Sequence, residues 1–195
     1  FIGIAPAFPE AFRRRTRASL VPVAWRWDRC QPLSRGSPAW RYLTGRRGLP
    51  DHILVAARIA DAIREGPHGS AWFAHRNATG GVTGIEMRGV TWRSFSAGGS
   101  KTLFRLPGGP GPLPRVAVCE GAIDAISLAA IEALRGDTLY AATTGGMGPA
   151  TIAAIQHLLP PMSAAPSSIL IAATDAVLAG RPLAGRLRVL GRAAG

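Results

Sequence analysis

The chain has 195 residues, 47% of them hydrophobic, and 23 Lys+Arg against 11 Asp+Glu give it a formal net charge of +12. This composition supports one good-sized domain, or two small ones sharing an interface, and excludes a disordered chain. No apolar run reaches the ~18–20 residues of a membrane span, and two widely spaced cysteines, Cys30 and Cys119, exclude a cysteine-based zinc ribbon and argue against a disulfide scaffold.

The charge is unevenly placed. Residues 1–109 hold 17 Lys+Arg against 6 Asp+Glu, whereas residues 110–195 hold 6 against 5. That division fits a front half facing a polyanion and a rear half with another task. An arginine-favouring genome is the bland alternative, since Lys101 is the sole lysine. The opening "FIGIAPAFPEAFRRRTR" sets an apolar patch before its charges, the reverse of a secretory signal, and lacks an initiator Met, as a fragment or trimmed chain would. A reducing, cytoplasmic setting without membrane contact is expected.

In chain order, residues 1–37 show no sustained period and are expected to be poorly ordered or incomplete. From Pro38, "WRYLTG" predicts a short helix and "GRRGLP" a turn. A second helix follows, on which Ile53, Val55, Ala56, Ile59 and Ile63 recur near helical spacing. "AWFAHRN", "VTGIEMRG" and "TWRSF" predict short strands separated by Gly-rich turns. Residues 38–109 thus read as a small basic α+β subdomain. "LPGGPGPLPR", Leu106–Arg115, can continue neither regular structure and marks the boundary.

Residues 110–195 alternate strand and helix: "RVAVCE" then "AIDAISLAAIEALRG", "TLYAATTGG" then "PATIAAIQHLL", and "ILIAAT" then Asp175 and a helix over Leu178–Leu190. Near-continuous apolar strands alternating with helices predict an α/β fold, a parallel sheet flanked by helices. Ligands of such sheets bind beyond the carboxyl ends of the strands. Glu120, Thr143–Gly146 and Asp175 stand at those ends. Two carboxylates beside a glycine pair suit an oxygen-liganded Mg2+; simple helix-start acids are the plainer reading of Glu120, Asp175 and the neighbouring Asp124.

At these residues the sequence resembles the Toprim domain, the fold shared by topoisomerases, primases and related nucleases. "VCEGAIDAISL" supplies Glu120, "ATTGG" supplies Gly145 and Gly146, and "IAATDAVLAG" supplies Asp175 and Gly180. The front motifs "YLTGRRGL", "WFAHRNATGGVTGIEMRG" and "GGSKTLFRLPG" resemble the subdomain preceding Toprim in bacterial primases. They are still more similar to the domain preceding it in plasmid- and mobile-element-encoded proteins.

The resemblance implies Mg2+ held by Glu120 and Asp175 as catalytic residues, with Asp124, Gly145, Gly146 and Gly180 in support. It implies that Arg76, Arg88 and Lys101 contact nucleic acid or nucleotide. The function implied is nucleotidyl transfer on single-stranded DNA, with an RNA primer and nucleotides, in DNA replication or plasmid mobilisation. A helicase or relaxase partner belongs to that setting. One departure stands out: Val177 replaces the second acid of the family's Asp-x-Asp. A catalytically degenerate nucleic-acid-binding module of a plasmid or mobile-element complex is therefore the alternative, and a small phosphohydrolase a third. The five tryptophans, Trp25, Trp27, Trp40, Trp72 and Trp92, all lie in the basic half, open to base stacking or core packing.

Overall fold

The computed structural model describes residues 21–159, 168–174 and 181–193. The rear part is built on three parallel strands, β7 (Arg115–Cys119), β8 (Thr138–Ala142) and β9 (Ile169–Ala172). Strand β7 lies in the middle, and Val116–Cys119 are buried on both faces, as the unbroken apolar run predicts. Helices α4 (Ala122–Ile131), α5 (Pro149–Gln156) and α6 (Arg181–Ala193) belong to this part. Pro149 opens α5, where its missing N–H costs nothing.

The front part is antiparallel. β1 (Gln31–Pro32), β2 (Ile63–Glu65), β3 (Ala71–Arg76), β4 (Val82–Arg88) and β5 (Arg93–Phe95) pair in turn, with α1 (Val23–Asp28), α2 (Pro38–Arg41) and α3 (Asp51–Ile59) around them. A ninth strand, β6 (Leu103–Pro107), pairs antiparallel with β3 on one side and with β8 on the other. Front and rear therefore share one sheet, in the order β1-β2-β3-β6-β8-β7-β9, with β4 and β5 branching from β3.

One core crosses the junction. Phe73 of β3 and Phe104 of β6 meet edge to face at 6.0 Å, in a cluster that also holds Leu43, Ile53, Ala117, Ile126 and Tyr140. The opposite face of the sheet carries Leu103, Val118, Ala154, Ile155 and Leu187 at the rear. At the front, that face is covered by Val23, Trp27, Trp72 and Ile85.

Three local expectations are corrected. Residues 21–37 are not a loose leader, because α1 buries Trp27, whose indole N–H donates to Asp61 at 3.1 Å; residues 1–20 lie outside the described residues. Helix α3 stops at Ile59, Asp61 turns with φ +49°, and Ile63 opens β2 instead of ending a helix. Leu106 and Pro107 belong to a strand: Pro107 ends β6, where a missing donor is tolerated. Among the described residues no helix is long and apolar enough to cross a membrane.

Candidate active site

Parallel pairing puts the carboxyl ends of β7 and β8 side by side, with Cys119 opposite Ala142. Two further hydrogen bonds lock the chains beyond them: Thr143 N–H donates to the Cys119 carbonyl at 3.2 Å, and Gly145 N–H to the Glu120 carbonyl at 3.0 Å. The end of β9 joins the same edge, with Ala172 opposite Val118. Glu120, Gly145 and Gly146 thus come together as expected from strand order. Asp175, Val177 and Gly180 lie outside the described residues.

Glu120 is not a helix cap. Gly121 takes that position at the start of α4, and its N–H is satisfied by the Asp124 carboxylate at 2.9 Å. Asp124 is therefore the first-turn acid, favoured there by the helix dipole. The Glu120 Oε1 atom is buried and has no hydrogen-bond partner. A buried carboxylate oxygen without a donor is costly and calls for an occupant.

A cavity of about 510 Å³ opens beside it, lined by Glu120, Gly121, Asp124, Thr144 and Gly145 from the rear part. Glu86, Arg88, Arg93, Ser94, Phe95 and Lys101 line it from the front part. Position 121 is tightly surrounded: a Cβ there would stand 3.0 Å from Asp124 Oδ2 and 3.2 Å from an Arg88 amino nitrogen, so those side chains would have to give way by a few tenths of an ångström. Of the three expected nucleic-acid contacts, Arg88 and Lys101 reach this cavity. Arg76 does not line it: its guanidinium is paired with Asp61 at 2.6 Å and caps the Gly80 carbonyl.

The junction between the two parts is organised by Glu86, a residue the sequence reading passed over. Its carboxylate is 1% exposed and fully engaged. Oε1 receives Arg88 at 2.6 Å. Oε2 receives the Ala122 N–H of α4 at 3.1 Å and the Thr144 hydroxyl at 2.5 Å. Because the Thr144 proton is directed to Glu86, the contact of 2.7 Å between Thr144 Oγ1 and His75 Nε2 has the imidazole as donor. Burial holds His75 neutral, its pKa lowered to about 4, and its Nδ1 is left buried without a partner.

Thr144 itself has φ +54°, a conformation that β-branched residues avoid. Lys101 Nζ donates to its carbonyl at 3.0 Å, and Gly145 continues the turn at φ +69°. A buried Glu, a buried His and a Lys thus hold one strained residue at the mouth of the cavity. The signal in sequence is faint: a Glu amid apolar strand residues in "VTGIEMRG".

Oxygen donors facing guanidinium and ammonium groups are the chemistry of a phosphate-bearing ligand with a divalent cation. Among the described residues no three acidic, His or Cys side chains gather into a metal cluster. Cys119 is a core thiol, pushed up to about 12 chiefly by burial. Of the tryptophans, Trp27, Trp40 and Trp72 are buried, while Trp25 and Trp92 are about half exposed.

Residues 41–109 match a family described as a protein of unknown function (DUF3991), and residues 117–195 match a family described as Toprim-like. No curated protein sequence matches the chain. Among solved structures, the primase fragment of the bacteriophage T7 primase-helicase protein is similar, with TM-score 0.47, 18% identity, and coverage of 75% of this chain and 58% of that one. A second is the bacteriophage T7 lagging-strand DNA polymerase interacting with primase domains of two gp4 subunits bound to an RNA/DNA hybrid and dTTP. There the TM-score is 0.46 at 17% identity, covering 83% of this chain and 74% of that one. The chain therefore spans less than two thirds of the T7 primase fragment. The Toprim-like match, residues 117–195, falls on the same three-stranded parallel edge that carries Glu120.

Proposed function

We propose that this chain is the catalytic part of a primase-like protein that joins nucleotides on a single-stranded DNA template with Mg2+, in replication or in the mobilisation of a plasmid. One observation carries the reading: a buried, unpartnered Glu120 oxygen beside a cavity whose opposite wall presents Arg88, Arg93 and Lys101. Glu120 is an oxygen ligand of the hard type that Mg2+ takes, and Asp175, which follows β9 in sequence, would complete the set.

Mg2+ bound there would stabilise charge on a transferring phosphoryl group. The chain's own residues do the rest. Arg93 and Lys101 hold phosphate oxygens, and Gly121 and Gly145 leave room for close approach of the ligand. The Glu86–Arg88 pair fixes the front wall against α4.

Val177 favours a second reading, in which the site binds nucleic acid without turnover. Primer synthesis on single-stranded DNA separates the two. Wild type should extend primers only with Mg2+, and Glu120→Gln should lower the rate by at least ~100-fold, on the order of removing a principal electrostatic group. DNA binding with no synthesis under any metal would leave the binding module.

A further inference from the structure

A second cavity lies in the front part, away from Glu120, and a half-exposed tryptophan borders it. Helix α1 turns Val23 and Trp27 inward. Two residues correspond to about 200° around a helix, so Trp25 points outward and is 47% exposed. The Arg29 guanidinium lies 4.1 Å from the centroid of its ring. Beside them opens a space of about 490 Å³, whose lining includes Trp25, Arg26, Arg29, Cys30, Glu65 and Trp72.

Trp72 is held in place from two sides. Its indole N–H donates to the Ser70 hydroxyl at 3.0 Å. Its ring lies so close against Gly66 that a Cβ at that position would fall on the indole. Gln31 and Glu65, opposite one another in the β1–β2 pair, add an amide and a carboxylate to the lining. Such groups donate to and accept from the edges of bases.

The register sets this cavity against the catalytic one. Arg88, which lines the catalytic cavity, is opposite Ala71 in the β3–β4 pair, and Trp72 is the next residue. Successive side chains of a strand leave opposite faces, so the two cavities flank the sheet at one end of β3 and β4. Arg26 ties α1 to the loop between β5 and Lys101, donating to the Ala97 carbonyl at 2.6 Å.

We infer that the Trp25–Trp72 cavity receives a base of the same single strand of nucleic acid that enters the catalytic cavity. The two indoles supply the stacking surfaces, and Arg26 and Arg29 stand beside the strand's phosphates. Indole walls do not suit a bare anion, and arginines do not suit a wholly apolar ligand. A flat ring carrying a phosphate satisfies both, and aromatic stacking accepts any base. The charge agrees, with 17 Lys+Arg against 6 Asp+Glu in residues 1–109. This inference rests on the nucleic-acid-binding reading of the chain and needs neither metal nor turnover.

Cys30 provides the test, because it lines the cavity whereas Cys119 is 2% exposed and serves as the silent control. Thiol alkylation is followed on the full chain with a chelator present and with oligodeoxythymidylate bound. The oligonucleotide should protect Cys30; an abasic strand of equal length, or thymidine monophosphate at equal nucleotide concentration, should not. Trp25→Ala should weaken oligonucleotide binding about tenfold, and Trp25→Phe should restore most of it. Undiminished Cys30 reactivity with the oligonucleotide bound, and equal affinity in Trp25→Ala, would overturn the site and leave the proposed function standing. Protection by the mononucleotide alone would overturn its assignment to a strand. Protection by the oligonucleotide in a protein that makes no primer with Mg2+ would support the site and remove the catalytic function. A chain that binds no oligonucleotide at all would lose both.

Discussion

Thr144 adopts a backbone that costs about 1–3 kcal/mol for a non-glycine residue, and the groups that hold it there define the residue scale of this site. Its hydroxyl donates to Glu86 and accepts from His75, while Lys101 takes its carbonyl. His75 gives this arrangement a pH signature. Burial lowers its pKa to about 4, with Glu86 opposing the shift and Lys101 adding to it. The unfolded imidazole titrates near 6.5, so between those values the unfolded chain binds more protons. Stability from neutral His75 is therefore complete above about pH 6.5 and is lost as pH falls towards 4, by at most about 3 kcal/mol. Urea unfolding at about pH 7.5 and 4.5 should show wild type losing roughly 2–3 kcal/mol more than His75→Phe. Equal losses would place the imidazole in contact with water. At this scale Glu120 was legible, because a carboxylate between an apolar strand and a helix has few structural uses. Glu86 was not, since its inward orientation depends on the pairing of Glu86 with Phe73, which a single strand does not reveal.

Among the elements, β6 decides the architecture. Leu106 and Pro107 read as part of a Gly/Pro boundary segment, yet Leu103, Phe104 and Leu106 are fully buried and the strand lies between β3 and β8. Propensity set the Gly/Pro segment at Leu106–Arg115, overlapping the end of β6 and the start of β7, and could not show that β6 pairs across the junction, because such partners lie far apart in sequence. The parallel strands were legible for the converse reason: burial on both faces leaves an apolar run that few other elements show. The shared strand predicts a single unfolding transition. Tryptophan fluorescence, which reports only the front half, and far-ultraviolet circular dichroism, which reports both, should coincide in wild type. Phe104→Ala should lower stability by about 3–5 kcal/mol in both signals together. A second transition seen only by circular dichroism would mean that the rear part folds independently of β6.

At the scale of the whole molecule, the asymmetry of charge and the continuity of the sheet have one consequence. The basic front part supplies Arg88, Arg93 and Lys101, with the paired Glu86, to a cavity to which the nearly neutral rear part adds Glu120 and Asp124. Neither part holds the site alone, which accounts for the burial of Glu86 at the joint. The central claim is that a metal-dependent site lies at this joint, on the edge bearing Glu120. Cleavage of the backbone by hydroxyl radicals from Fe2+ bound in place of Mg2+ locates such a site directly. The cuts should cluster near residues 86–88, 120–121 and 143–146, fade with excess Mg2+, and vanish in Glu120→Gln. Absent cleavage, or cuts gathered far from Glu120 and indifferent to Mg2+, would contradict the account.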